Sequence, residues 1–198
     1  MPPHIVRQQF RVARERWPLL QIGPGILTVN DTEGYTWTKF RPLLKHAIEG
    51  LFESYPSEIA CISPAQAVLR YLNALPFDPD NPDRPLLHFL RDKLHVTVDP
   101  DRRLFSDPLA AAKPVAANLN LTFPLDTPSA LGSVSFATGQ SANKPSIIWE
   151  ITVRSGGQDV PQAPEELMKW LDDAHLVARK WFFTLARGEP LESFGYEK

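Results

Sequence analysis

Two runs of alternating residues, NLNLTFPLD from Asn118 and SIIWEITVR from Ser146, constrain this chain more than any other feature. In the first, Leu119, Leu121, Phe123 and Leu125 point one way while Asn118, Asn120 and Thr122 point the other. In the second, Ile147, Trp149, Ile151 and Val153 oppose Ile148, Glu150, Thr152 and Arg154. Period-two patterning puts one face on a core and one in water, the habit of antiparallel sheets. Between the runs, GSVSFATG reads as a third strand with Val134 and Phe136 inward.

An apolar sheet face needs a cover, and the C-terminal segment provides one. From Pro164 to Arg187, a stripe of Leu167, Trp170, Leu171, Ala174, Val177, Ala178, Trp181 and Leu185 repeats at helical spacing. Pro164 suits the first helical position, Glu165 and Glu166 complement the positive helix end, and Gly188 can close it.

Upstream, Arg7, Arg11 and Arg14 fall at helical spacing around Phe10, so residues 1–16 read as a basic arm or short helix. WPLLQIGPGILTVND reads as two short strands around Gly23-Pro24-Gly25. The spacing of Phe40, Leu43, Leu44, Ala47, Ile48, Leu51, Phe52 and Tyr55 predicts a helix from about Thr38 to Tyr55. Pro42 argues for a late start, with Thr38 as N-cap in preference to Thr36, and Pro56 ends the helix. Residues 68–77 read as a strand, DPDNPDRP as a turn, and the segment carrying Leu86, Leu87, Leu90 and Leu94 as a short helix. Residues 96–116 read as a surface loop. The order predicts an α+β fold: a twisted antiparallel sheet with helices packed mainly on one face and a long C-terminal helix. Residues 17–198 are read as a single domain.

At 198 residues the chain is long enough to bury about 70% of its unfolded surface without a metal or disulfide staple. Its 20 prolines, roughly twice the usual share, imply many turns of fixed geometry. Net charge is -2, so no global field draws nucleic acid or anionic lipid. The single cysteine excludes an intramolecular disulfide, and the start, MPPHIVRQQFRVARERWP, lacks the apolar segment of a signal peptide. With no apolar run long enough to span a bilayer, the expected location is the cytoplasm.

The sequence carries no recognisable catalytic or metal-binding motif. The histidines at 4, 46, 88, 95 and 175 form no HxH or HExxH, and there is no CxxC, so no metal site is expected. DPDNPD misses EF-hand spacing because Pro82, Asp83 and Pro85 fall where the calcium loop forbids them; it reads as a turn whose aspartates accept backbone hydrogen bonds. GxSxG and SxxK are absent, and Cys61 in EIACIS reads as a small buried hydrophobe. Gly23-Pro24-Gly25 and Ser155-Gly156-Gly157 are too short to cradle phosphates. The neighbouring pairs Glu165/Glu166 and Asp172/Asp173 diverge by about 100° on a helix, so neither pair converges on one substrate atom. No catalytic residue and no cofactor is assigned. Arg7, Arg11 and Arg14 offer phosphate contacts, but a solvated or dimer-packing segment is the competing reading, and net acidity disfavours nucleic acid.

The stretch WPLLQIGPGILTVND…YTWTKF, then LRYLN, then a closing helix ending in LESFG resembles a sporadically distributed family of uncharacterised prokaryotic proteins. In that family an Arg-Tyr-hydrophobic-Asn segment follows an amphipathic helix; here it stands as Arg70-Tyr71-Leu72-Asn73. Members carry a further N-terminal portion with an initial strand, so the resemblance implies that this chain begins after it. It implies no activity; its patchy distribution is that of accessory genes such as defence or toxin–antitoxin modules. Alternation places Arg70 and Asn73 on opposite faces, where each either anchors a loop or meets a ligand.

Two functional readings follow. The first is a non-enzymatic interaction protein that binds a protein partner or associates with itself. Its anchors are aromatics beyond the helical stripe, Phe182 and Phe183, which alternatively complete the core. The second is a ligand-binding or enzymatic domain whose pocket, between the sheet and the long helix, is lined by Arg70, Tyr71, Asn73 and His175.

Overall fold

A computed structural model describes residues 8–54, 62–81, 83–101, 103, 114 and 116–194, with Ser193 by its backbone only. His4, Arg7, Tyr55, Pro56, Cys61 and most of 104–115 lie outside the described residues. The chain is α+β and groups into two compact units. One takes in the described residues up to Pro64 together with Pro161–Lys169; the other takes in Ala65–Val160 and the residues from Trp170 onward.

The first unit holds an antiparallel sheet of β1 (Gln8–Arg11), β2 (Leu19–Gly23) and β3 (Ile26–Asn30), in that order. Pro24 and Gly25 close the β2–β3 hairpin, and Gly25 takes φ +71°, open to glycine without strain. Gln8–Arg11 is therefore not helical. It pairs with β2 from Gln8↔Ile22 to Arg11↔Leu19, because one apolar residue, Phe10, gives no helical stripe while the β2 edge offers backbone partners.

Helix α1 runs Trp37–Glu53 and buries Phe40, Leu44 and Ile48 at four-residue steps. Its N-cap is Thr36, not Thr38: the Thr36 hydroxyl accepts from Lys39 N–H at 3.4 Å. Tyr35 just outside the cap packs edge-on against Phe40, with ring centroids 5.3 Å apart. This hydrophobic staple sets the helix start, and Pro42 is left inside the helix without a hydrogen bond to the Thr38 carbonyl.

The second unit is built on β4 (Gln66–Pro76), β5 (Asn118–Leu125), β6 (Ala130–Ser141) and β7 (Lys144–Gly156), all antiparallel in the order β4-β7-β6-β5. Ala142 and Asn143, at φ 48° and 62°, form the tight β6–β7 turn. The alternation read in the sequence holds along β7, where Ile147, Trp149, Ile151 and Val153 are buried. Val134 and Phe136 lie beside them on β6. The same core takes Leu86, Phe89, Leu90 and Leu94 from α2 (Leu86–Leu94), and Ala178, Trp181, Phe182 and Leu185 from α3 (Pro164–Leu185). A short α4 (Glu189–Ser193) adds Leu191. Burying Trp149 removes on the order of 200 Å² from water, worth about 5 kcal/mol before entropy is set against it.

Helix α3 starts at Pro164 as expected, and the Glu166 carboxylate reaches back to the N–H groups of Gln162 and Ala163. It stops at Leu185, two residues short of the expected end, and Gly188 follows at φ +84°.

The sheet has two outer strands, β4 and β5, and each carries a proline. Phe77 N–H donates to the Pro145 carbonyl at 3.0 Å and Thr138 N–H to the Ala117 carbonyl at 3.1 Å. In an antiparallel ladder these bonds turn the odd-numbered peptides of both outer strands inward and the even-numbered ones toward the open edge. Pro76 and Pro124 both occupy outward positions, so neither leaves a gap in the ladder.

Candidate functional site

The sequence-derived quartet does not form one site. Arg70 points to the outer face of the sheet, where its guanidinium pairs with Glu150 at 2.5 Å. Tyr71 and Asn73 lie on the inner face with the core, as alternation requires. The Tyr71 hydroxyl meets Nδ1 of His175 on α3 at 2.8 Å. Burial lowers the His175 pKa, nearby Arg179 lowers it further, and Asp172 opposes both. A ring so held is neutral at pH 7, and its Nδ1 shares one hydrogen bond with the Tyr71 hydroxyl. The pair is thus a hydrogen bond from sheet to helix.

Asn73 stands directly across from Trp149 on β7. Asn73 Nδ2 and Trp149 Nε1 are both buried without a hydrogen-bond partner among the described residues.

A second polar chain closes the far end of β7. The Trp170 indole N–H donates to Ser155 Oγ at 2.7 Å, Ser155 donates to the Ser129 carbonyl at 2.5 Å, and Ser129 donates to Asp159 at 2.9 Å. Ser155 is a buried strand residue, not part of a loop. The sequence carries no signal for this role, because hydroxyls at strand ends are common.

The aromatic anchors are divided. Phe182 stacks on Trp149 at 6.2 Å and meets Phe194 edge-on at 5.4 Å, so it serves the core. Phe183 is half-buried, with the Arg179 guanidinium over its ring at 5.4 Å. On the other unit, Arg11 lies over the Trp17 ring at 5.4 Å and Arg16 is 3.9 Å from Glu33. Arg14 is exposed. Arg11 therefore sits in a sheet and not on a mobile arm.

Two features of the second unit were not singled out in the sequence. The first is the outer edge of β5, which no strand among the described residues covers. It presents no charged side chain, and its core-side residues Leu121 and Phe123 stay 41% and 44% exposed. The alternation placed both residues on the core-facing side but could not say that they stay this exposed, Phe123 even with Trp181 of α3 edge-on to it at 5.8 Å. The second is a cleft of about 410 Å³ at the end of β4, lined by Pro76, Phe77, Asp78, Asn81, Arg84, Phe89, Lys144 and Pro145.

Among the described residues, no group of three or more His, Cys, Asp or Glu side chains could hold a metal ion, and no helix is long and apolar enough to cross a membrane. No family model matches the chain, and neither the curated proteins nor the solved structures hold a match close enough to carry an argument.

Proposed function

We propose that this chain is a non-enzymatic interaction protein that pairs with a second copy of itself along β5. The supporting observation is the open edge of that strand. Asn118, Asn120 and Thr122 direct their backbone N–H and C=O groups outward, and Pro124 adds a carbonyl. Uncovered strand edges are usually blunted by charge, a bulge or proline; NLNLTFPL has no charge, and its one proline, Pro124, lies near the end of the strand and leaves Asn118 to Thr122 open.

Charge decides between the two outer strands and between occupants. Antiparallel self-pairing of β4 would bring Arg70 of one copy close to Arg70 of the other, a repulsive pairing. Self-pairing of β5 centred on Leu121 opposes Leu121 to Leu121 and Phe123 to Leu119, and sets Asn120 against Thr122 on the other face. Apolar meets apolar and polar meets polar from Leu119 to Phe123, and only the outermost pair, Asn118 against Pro124, is mixed. The two sheets then become one continuous sheet with a two-fold axis at its centre.

The resemblance to the sporadic prokaryotic family adds an accessory, defence-type role in the cytoplasm to this reading. Light scattering of the purified chain at tens of micromolar tests it. The expected mass is that of a dimer. Asn120→Pro blocks the edge without removing a bond inside the sheet, and Leu121→Lys places like charges face to face; both should give folded monomers. A wild-type monomer, or variants that remain dimeric, would overturn the proposal.

A further inference from the structure

The cleft at the end of β4 is independent of the β5 edge. Its floor is apolar: Phe77 and Phe89 meet edge to face with centroids 5.0 Å apart, and Pro76 and Pro145 form the walls. Its rim is polar and held in place. Phe77 N–H bonds the Pro145 carbonyl, closing one wall, while Asn81 N–H to Asp78 O and Arg84 N–H to Asn81 O hold the loop at 3.4 and 3.3 Å.

The rim is also biased toward donors. Asp78 Oδ1 accepts from Asp80 N–H and Asn81 Oδ1 from Asp83 N–H, both at 3.0 Å. Those bonds occupy the acceptor end of Asn81 and leave its amide nitrogen to donate. Arg84 and Lys144 form no ion pair among the described residues. Asp92 and Glu189 feel the Arg84 charge, but each has a nearer partner, Arg91 at 2.7 Å and Lys93 respectively.

From this arrangement we infer that the cleft binds a small organic monoanion, a carboxylate on a flat apolar body. The body lies on the Phe77–Phe89 floor, and the carboxylate meets Arg84, Lys144 and the Asn81 amide. Two cations and one carboxylate line the rim, Arg84 and Lys144 against Asp78, a net of +1. One negative charge on the ligand balances it, whereas a phosphate dianion meets Asp78 with excess charge. Because the cleft is open and its cations are exposed, binding should be weak, with a Kd on the order of 1 mM that rises with salt.

Sodium benzoate is the probe, titrated into the full chain at low ionic strength and followed by backbone amide NMR. Saturable shifts are expected at Phe77, Asn81, Arg84, Phe89 and Lys144. Benzyl alcohol, which keeps the ring but carries no charge, should bind at least about tenfold more weakly, as should the Arg84→Gln/Lys144→Gln double variant. The inference fails if benzoate up to about ten times the expected Kd shifts none of these amides. It fails equally if the alcohol or the double variant binds as well as benzoate does to the native chain. Tighter binding of phenyl phosphate than of benzoate would overturn the monocarboxylate assignment.

Discussion

A Cβ added to Gly132 would stand 2.5 Å from Cη2 of Trp181 and 3.0 Å from Cδ1 of Leu125. The indole of α3 therefore rests on a position of β6 that has no side chain, with Phe123 edge-on at 5.8 Å. Gly132 is not needed for its backbone freedom; it is needed for the space above it. Gly132→Ala should destabilise the second unit by about 1–3 kcal/mol. Trp181→Leu in the same chain should recover part of that loss, since the clash is with the ring. Urea unfolding of the two single variants and the double variant checks this; purely additive losses would mean that Trp181 is not what Gly132 accommodates.

Ser155 gives the next test. It accepts from the Trp170 indole and donates to the Ser129 carbonyl, so Ser155→Ala leaves a buried N–H and a carbonyl without a partner. The expected loss is about 1–3 kcal/mol, more than an exposed serine could produce. Ser155→Ala paired with Trp170→Phe should cost less than the sum of the two, because the second change removes the stranded donor. Chemical denaturation of the four chains measures the coupling directly.

The burial of His175 makes stability depend on pH. The folded pKa of His175 lies below its ordinary value of 6.5, chiefly through burial. The unfolded chain therefore binds the proton more readily, and stability falls as pH drops below about 6.5 toward the folded pKa. Arg179 strengthens this trend and Asp172 weakens it. Melting temperature across that window should show a step that His175→Gln abolishes. Tyr71→Phe should lower stability by about 1 kcal/mol at pH 7.5 and leave a step in place, since burial is its main cause. A step of unchanged size in His175→Gln would assign the titration elsewhere.

How far the fold was legible depends on whether local pattern or long-range space decided each feature. Ile147 to Val153 and the α3 stripe were readable because burial imposes periods of 2 and 3.6 on any sequence that satisfies it. The Arg70 and Asn73 split was readable for the same reason. The pairing of Gln8–Arg11 with β2 was not, because an edge strand takes its stability from the neighbour's backbone. The site was less legible still. Tyr71 and His175 meet although they lie 104 positions apart in the chain, and the Arg84–Lys144 cleft joins a loop to the start of a distant strand. Neither juxtaposition leaves a local spacing to detect.

Pro42 shows propensity overruled by packing, and that conflict can be measured. Thr36 caps α1 and Tyr35 staples onto Phe40, so the helix forms with a proline in its sixth position. A proline inside a helix costs about 3 kcal/mol against alanine through its lost hydrogen bond and steric conflict. Pro42→Ala returns the bond to the Thr38 carbonyl but also loosens the unfolded chain, which offsets up to about 1 kcal/mol. Pro42 is exposed, so no buried contact is lost. The net expectation is a gain of about 1–2 kcal/mol in the first unit, read as a raised denaturation midpoint by far-ultraviolet circular dichroism. Thr36→Ala should move the midpoint the other way by about 1 kcal/mol or less, since the cap bond is long. If Pro42→Ala lowered the midpoint instead, the helix would start later than Thr36 in solution, with Pro42 in its first turn.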